Sequence, residues 1–178
     1  MSSERTEHTV KIELDGIKLE GELLIPEGAK GIVLFAHGSG SSRFSPRNQY
    51  VARHLREHKL ATLLTDLLTF EEDKIDQLTR ELRFNIDLLA ERLMGITRWL
   101  KKEQRTKNLH IGYFGASTGA AAALIAAAQE GEEISAVVSR GGRPDLAAPL
   151  LPNVQAPTLL IVGGADYGVI ELNQEAYD

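Results

Sequence analysis

The sequence of 178 residues predicts an α/β fold: a mostly parallel sheet that starts with an antiparallel hairpin and carries helices on both faces. Three observations predict it. The first segment alternates apolar and polar residues, several later runs are continuously apolar, and helical stretches separate those runs. Continuously apolar strands are buried on both faces, as in parallel sheets with helical crossovers. Because a domain averages ~150 residues, we expect residues 1–178 to form a single domain.

The hairpin is predicted by residues 10–14 and 17–25, which alternate on either side of the turn dipeptide Asp15-Gly16. The predicted parallel strands are the apolar runs 31–36, 60–65, 109–114, 134–138 and 158–162. Helices are predicted over 48–58, 73–104 and 118–129. The longest helix is predicted from apolar residues at every third or fourth position. The last helix is nearly all alanine, so it can pack close to the sheet.

Composition and charge exclude several classes of function. Lys and Arg number 20 against 25 Asp and Glu, a net charge of -5 without a basic cluster, so we expect no nucleic-acid partner. The absence of cysteine excludes disulfides, thiolate nucleophiles and cysteine-based zinc sites. The start of the chain lacks a signal-peptide core and no apolar run approaches ~20 residues, so we expect a cytoplasmic protein without a membrane segment.

The pattern G-x-S-x-G marks a candidate nucleophile. It occurs as Gly115-Ala-Ser-Thr-Gly119, between a predicted strand and the alanine-rich helix. A serine on so tight a turn takes a strained backbone geometry, and its neighbours two positions away must be almost free of side chain. The alternative is a glycine-rich turn whose serine only caps the helix. We interpret Ser117 as the nucleophile.

A glycine-rich turn after the first buried strand predicts the matching oxyanion hole. In His37-Gly-Ser-Gly40 the backbone N–H groups are free to face a developing negative charge. The N–H groups of Ser39 and of Thr118, the latter at the positive end of its helix, are the two predicted donors. We expect His37 to orient this loop rather than to act as a base.

A carboxylate after a later strand would complete the catalytic set. Asp166 follows the last predicted strand directly, in the chain order serine and then acid. Asp145, one strand earlier, is the alternative acid. Its structural interpretation is a turn or helix-cap residue after Pro144.

Four arginines also follow predicted strands. Arg43 and Arg47 come after the oxyanion loop, and Arg140 and Arg143 after the fourth buried strand. Ligands of α/β proteins bind at the carboxyl ends of strands, so Arg43, Arg47 and Arg140 are predicted to hold a carboxylate or phosphate of a small-molecule substrate. The alternative is that these arginines are solvated and pair with nearby carboxylates.

On these residues the chain resembles the α/β-hydrolase superfamily, and within it the small dienelactone-hydrolase-like esterases. The resemblance runs from about Glu20 to the C-terminus and rests on residues 37–40, 115–119 and 163–166. It implies a serine hydrolase of small esters, lactones or thioesters that works through an acyl-enzyme and needs neither metal nor cofactor. Residues 41–48 and 139–145 also look like a subgroup of hydrolases in which some members are fused to phosphoribosyltransferase-like domains.

The chain departs from this family near its C-terminus. Such enzymes place the catalytic histidine after one further strand, whereas no histidine follows Asp166. We therefore expect a hydrolase fold that lacks its last strand and helix, and feeble hydrolysis at most, because a serine without a base is a weak nucleophile. Residues 158–162 would then form an open sheet edge that invites pairing with another copy of the chain.

Three other interpretations stay open. Residues 54–58 read H-x-x-E-H, the inverted signature of a zinc protease, although a third ligand would have to come from another helix. Gly38-Ser-Gly40 followed by Asp66 is the beginning of a dinucleotide-binding pattern, with Arg43 where the third glycine belongs. A hydrolase fold without the histidine would also suit a protein that binds its ligand without cleaving it.

Overall fold

The computed structural model describes residues 8–178, which form a seven-stranded sheet with helices on both faces. The strands are β1 Thr9–Leu14, β2 Ile17–Leu24, β3 Gly31–Ala36, β4 Leu60–Thr65, β5 His110–Ala116, β6 Ile134–Arg140 and β7 Thr158–Ile161. The α-helices are α1 Pro46–Glu57, α2 Phe70–Thr79, α3 Ile86–Lys102, α4 Thr118–Glu130 and α5 Tyr167–Tyr177. 3₁₀ segments span Leu82–Phe84, Gly131–Glu133 and Pro144–Asn153. No helix in this part of the chain combines the length and the apolar character that a membrane crossing needs.

The strands lie in the order β1-β2-β4-β3-β5-β6-β7. β1 pairs antiparallel with β2 and β2 antiparallel with β4, whereas the remaining neighbours are parallel. The predicted α/β fold, with a mostly parallel sheet and an N-terminal hairpin, is therefore confirmed. The order reverses around β3 and β5, whose carboxyl ends lie side by side with Ala36 opposite Gly115. Ligands of α/β proteins bind at such a reversal.

The two faces of the sheet carry cores of different size. The larger core lies beneath α3 and α4 and receives residues such as Leu34 and Tyr113 from the central strands. On the other face, α1 packs over a small cluster formed by Phe35, Ala52, Leu64 and Phe114. Because successive strand residues point to opposite faces, β3 and β5 contribute to both cores. The strands that carry the candidate site are therefore held from both sides.

The prediction of a single helix over 73–104 is wrong, because the chain breaks into α2, a 3₁₀ turn and α3. Arg80 adopts a left-handed conformation (φ 59°) that ends α2. The carboxylate of Asp76 then accepts two N–H groups of the 3₁₀ turn at 2.7 and 3.1 Å, and the side chain of Asn85 caps α3. These side-chain hydrogen bonds compete with the helix at a point where the apolar periodicity continues without a gap.

The strand β7 is an edge of the sheet, as predicted, but it is not buried on both faces. It pairs with β6, and within residues 8–178 no strand pairs with its outer side. Leu159 and Ile161 are 56% and 44% exposed. Its continuous apolar run is typical of an interior strand, whereas its position leaves it open to solvent.

Candidate active site

Ser117 lies at the sharp turn between β5 and α4. Its backbone angles, φ 53° and ψ −122°, fall in a region that residues with a side chain rarely adopt. The Ser117 side chain is exposed, whereas Ala116 and Thr118 on either side of it are buried. The turn therefore presents the hydroxyl to solvent at the carboxyl edge of the sheet.

The flanking glycines show why this turn needs its sequence. A Cβ on Gly115 would lie 2.4 Å from the Cα of Ala120, and a Cβ on Gly119 would lie 2.3 Å from the carbonyl oxygen of Ala36. Both contacts are with backbone, which cannot move aside easily. The predicted requirement for residues without a side chain two positions from Ser117 is confirmed.

Backbone hydrogen bonds fix the same turn. The Ser117 N–H donates to the carbonyl oxygen of Arg140 at 3.3 Å, and the Ser117 carbonyl accepts from the N–H groups of Ala120 at 3.1 Å and Arg143 at 3.3 Å. Among the described residues, the Ser117 hydroxyl itself has no hydrogen-bond partner. The nucleophile candidate is therefore rigid in its backbone and unengaged in its side chain.

The oxyanion loop, residues 37–40, packs directly against the serine turn. A Cβ on Gly38 would lie 3.1 Å from the Cβ of Ser117. The Ser39 N–H donates to Thr118 Oγ1 at 3.1 Å. Thr118 is the first residue of α4, where N–H groups have no acceptor within the helix. Ser39 and Thr118, the two predicted donors, lie together beside Ser117.

His37 is engaged through both ring nitrogens. Its Nε2 accepts the N–H of Leu67 at 3.1 Å, so its Nδ1 carries the proton and donates to the carbonyl oxygen of Gly38 at 3.0 Å. Burial lowers the pKa of His37 below its ordinary value, which favours the neutral ring. This histidine ties the oxyanion loop to the segment after β4 and has no nitrogen left to act as a base.

The other histidines lie away from the serine turn. They are His8 before β1, His54 and His58 near the C-terminal end of α1, and His110 at the start of β5. β5 reaches Ser117 at its opposite end, and α1 returns the chain to the start of β4. Across residues 8–178, no imidazole except that of His37 therefore lies at the carboxyl edge.

The H-x-x-E-H segment forms local contacts on α1. His54 Nδ1 lies 2.9 Å from Glu57 Oε2, and this hydrogen bond lowers the pKa of the Glu57 carboxyl. His58 Nδ1 donates to the carbonyl oxygen of His54 at 2.9 Å. The described part of the chain holds no group of three or more side chains that are placed to bind a metal ion. No third ligand joins these histidines there.

The two candidate acids differ in their surroundings. Asp166 follows β7, whose neighbour β6 in turn lies beside β5, so it belongs to the same edge as Ser117. The Asp166 side chain is exposed and makes no hydrogen bond within residues 8–178. The Asp145 carboxylate instead accepts two bonds from Arg143, at 2.9 and 2.7 Å, and the guanidinium lowers the pKa of Asp145. Asp145 is committed to Arg143, whereas Asp166 is available.

Arg43 pairs with two carboxylates. Its guanidinium contacts Asp66 and donates to Glu20 at 2.6 Å, and its N–H donates to Asp66 at 2.8 Å. These contacts match the alternative interpretation of the sequence, in which the arginine pairs with nearby carboxylates and does not bind a substrate. The same contacts occupy the aspartate that a dinucleotide site would need.

Arg140 and Arg47 have no carboxylate partner among the described residues. Arg140 donates to Asn48 Oδ1 at 3.2 Å, and its Nε is buried without an acceptor within residues 8–178. Burial and then the positive charge of Arg47 lower the pKa of Arg140. The Arg140 carbonyl accepts the Ser117 N–H, so the backbone of Arg140 lies next to the serine turn. Asn48 could not be predicted from the sequence, since only the fold brings α1 to the end of β6.

A cleft of about 1040 Å³ opens beside the oxyanion loop. Residues 37–46 form one wall and residues 66–77 contribute another, with Phe44 and Phe70 among the lining side chains. Ser117 does not line this cleft. The cleft therefore begins at the oxyanion loop and extends away from Ser117, on the β4 side of the sheet.

The strand order, the serine turn after β5 and the glycine-rich loop after β3 define an α/β-hydrolase. No protein-family model matches the chain. Among solved structures, a dienelactone hydrolase from Anabaena variabilis ATCC 29413 is 62% identical, with a TM-score of 0.93, over 94% of this chain and 78% of that one. The chain therefore belongs to the dienelactone-hydrolase-like group of the α/β-hydrolase superfamily, and the resemblance found in the sequence is confirmed.

More distant structures share the fold. Est1E from Butyrivibrio proteoclasticus is 16% identical, with a TM-score of 0.76, over 94% of this chain and 84% of its own. The Pyrococcus furiosus esterase Pf2001 is 22% identical, with a TM-score of 0.71, over 95% of this chain and 76% of its own.

A Mycobacterium tuberculosis H37Rv protein that is provisionally named a phosphoribosyl transferase is 55% identical over 167 residues. That match covers 94% of this chain but only 37% of the relative's length.

Proposed function

We propose that the chain is a serine hydrolase of small esters, lactones or thioesters. The observation that carries this proposal is the exposed Ser117 hydroxyl on a strained turn, beside the amides of Ser39 and Thr118. Strained backbone that the surroundings hold in place is typical of functional positions. The family relationship supports a hydrolase, and the ester class and the covalent route are our proposal.

In the proposed reaction, the Ser117 oxygen adds to the carbonyl carbon of the ester while its proton passes to a base. The N–H groups of Ser39 and Thr118, at the positive end of α4, receive the negative charge that develops on the carbonyl oxygen. The intermediate collapses, the C–O bond to the alcohol breaks, and the base returns the proton to the leaving alcohol. Water then cleaves the acyl-enzyme by the same steps and restores Ser117.

Asp166 is the proposed acid, whose role is to orient a histidine base. Its unpaired carboxylate at the edge shared with Ser117 favours it over Asp145, which Arg143 occupies. Residues 8–178 bring no available imidazole to Ser117. We therefore propose that this chain by itself hydrolyses esters feebly, by at most ~10³ to 10⁴ over water, which is what an oxyanion hole and substrate binding give without a complete triad.

Arg140 and Arg47 are the proposed binding residues for an anionic group of the substrate, a carboxylate or phosphate. The buried, unpaired Nε of Arg140 supports this, because a buried donor without an acceptor is costly unless a ligand supplies one. Two cations side by side repel each other, and a bound anion would relieve that repulsion. Arg43 is left out of the proposed site because Asp66 and Glu20 already neutralise it.

A second candidate function is a hydrolase-fold protein that binds an anionic ligand without cleaving it. The observation that favours it is the Ser117 hydroxyl, which has no hydrogen-bond partner among the described residues. The transferase name of the mycobacterial relative does not transfer to this chain, because the matched region is only 37% of that protein.

Two related esters test these proposals. p-Nitrophenyl acetate and p-nitrophenyl hemisuccinate release the same product, but only the second carries a carboxylate. We expect slow release from both, loss of release in Ser117→Ala, and a KM for hemisuccinate raised about tenfold in Arg140→Met with acetate unaffected. No release from either ester, together with succinate binding that Arg140→Met abolishes, would support the binding protein instead.

A further inference from the structure

A chain of hydrogen bonds runs through the candidate oxyanion hole. The Ser39 N–H donates to Thr118 Oγ1 at 3.1 Å, the two hydroxyl oxygens lie 2.8 Å apart, and Ser39 Oγ donates to the carbonyl oxygen of Arg83 at 3.2 Å. Each hydroxyl has one proton. Because the Ser39 hydroxyl donates its proton to the carbonyl oxygen of Arg83, Thr118 must be the donor between the two hydroxyls. The direction of every bond is therefore fixed.

The far end of this chain is anchored. The Arg83 Nε donates to the Asp76 carboxylate at 2.6 Å, and the Arg83 N–H donates to the same carboxylate at 3.1 Å. Asp76 is 1% exposed, so this acceptor is held inside the protein. The carbonyl that receives the Ser39 hydroxyl thus belongs to a residue with little freedom to move. Hydrogen bonds that point one way along such a chain also strengthen one another.

The oxyanion loop needs such an anchor. Ser39 lies between two glycines, and Gly40 adopts φ 71°, so the loop backbone has unusual conformational freedom. The peptide before Ser39 must nevertheless point its N–H at one position, because an oxyanion hole works only when its donors are already oriented. Thr118 is 4% exposed and follows Ser117 directly, so its hydroxyl reaches the Ser39 amide from the nucleophile's own turn.

We propose that the hydroxyls of Thr118 and Ser39 are positioning groups, which hold the Ser39 amide in the orientation that the oxyanion hole requires. In the free protein, Thr118 Oγ1 is the acceptor of that amide. In the reaction, the carbonyl oxygen of the ester takes its place as acceptor, while Thr118 keeps its donor bond to Ser39 Oγ. The catalytic part of this inference rests on the proposed esterase function, whereas the orientation of the amide does not.

Two measurements on one set of variants test the inference. Thr118→Val preserves the shape of the side chain and removes its hydroxyl, Thr118→Ser keeps the hydroxyl, and Ser39→Ala breaks the bond to Arg83. Amide hydrogen exchange at position 39 should be about fivefold faster or more in both variants, because Thr118→Val removes the acceptor of that amide and Ser39→Ala removes the side-chain bond that ties the loop to Arg83. Thr118→Ser should exchange like the parent chain.

The kinetic arm uses p-nitrophenyl acetate. We expect kcat to fall about tenfold in Thr118→Val with KM within about twofold, because only the transition state develops charge at the hole, and Thr118→Ser should rescue kcat. Unchanged exchange at position 39 in both Thr118→Val and Ser39→Ala, or a Thr118→Ser variant that exchanges like Thr118→Val, would overturn the inference. If the parent chain shows no turnover while exchange responds as expected, the amide orientation stands and the esterase proposal fails.

Discussion

The carboxyl edge of the sheet has two halves that are held very differently. Around β3 and β5, a Cβ added at Gly119 would lie 2.3 Å from backbone, and both nitrogens of His37 are bonded. Around the end of β7, a Cβ added at Gly163 or Gly164 would meet no atom of residues 8–178 within 4 Å, and Asp166 is exposed. The contacts of the described residues fix the proposed nucleophile and oxyanion hole, but they leave the side chain of the proposed acid without a hydrogen-bond partner.

The largest expected difference between the halves is in their tolerance of a methyl group. Gly119→Ala should lower the free energy of unfolding by about 3 kcal/mol or prevent folding, because the Cβ collides with backbone oxygen. The matched Gly163→Ala should stay within about 0.5 kcal/mol of the parent chain. Urea denaturation followed by circular dichroism measures both. Equal effects at the two glycines would contradict the comparison.

A second difference is that the stability of the half around β3 and β5 depends on pH through His37. Since burial lowers the pKa of His37 in the folded chain, the unfolded chain takes up a proton more readily at this residue. Its contribution to stability is therefore present above the ordinary pKa of 6.5 and is lost as pH falls below that value. His37→Ala should cost about 2 kcal/mol at pH 8, by unpairing the Leu67 N–H and the Gly38 carbonyl, and should weaken this pH dependence.

The control for this prediction is His110→Gln, which changes an exposed histidine at the N-terminal end of β5, away from the serine turn. Its unfolding free energy should follow that of the parent chain between pH 5 and pH 8. If His37→Ala keeps the full pH dependence of the parent, the assignment of a buried neutral ring is wrong.

The third prediction concerns the strain at Ser117. Its φ of 53° and ψ of −122° cost of the order of 1–3 kcal/mol for a residue with a side chain, and glycine relieves that cost. Ser117→Gly should therefore raise the free energy of unfolding by about 1 kcal/mol, whereas Ser117→Ala, which keeps a Cβ, should leave it nearly unchanged. Thermal unfolding of the two variants measures the difference. Identical stabilities would mean that the turn is not strained.

The smallest expected effect lies at the open edge. Leu159 is 56% exposed, so Leu159→Lys should change the free energy of unfolding by less than about 0.5 kcal/mol. If two copies pair through β7, the same substitution should abolish the dimer, since charged side chains block edge pairing. Sedimentation at high concentration decides this. A parent chain that stays monomeric would contradict self-association through this edge.

The sequence contains most of the fold because its strands and turns depend on local patterns. The apolar runs at 31–36 and 60–65 match β3 and β4 residue for residue, and the glycines at 115 and 119 predict the serine turn. The break between α2 and α3 could not be predicted in this way. It depends on a buried Asp76 carboxylate that binds backbone N–H groups several residues later, while the apolar periodicity continues through it.

The site is less predictable than the fold because the partners of charged side chains lie on elements that only the folded chain brings together. Arg43, Arg47 and Arg140 look equivalent in the sequence, since each follows a strand. Among the described residues, Arg43 binds two carboxylates, whereas the Arg140 side chain binds only the side-chain amide oxygen of Asn48, from a helix that is distant in sequence. The relation between Ser39, Thr118 and Arg83 is equally invisible, because it joins three separate elements through hydroxyl groups.

The most direct measurement is the site and rate of labelling by a fluorophosphonate, read by mass spectrometry of the digested chain with and without added imidazole. If Ser117 is a nucleophile that only lacks its base, the adduct should map to Ser117 alone, form slowly, accelerate as imidazole is added, and disappear in Ser117→Ala. Adducts spread over other serines, or a Ser117 that stays unmodified even in imidazole, would contradict the account.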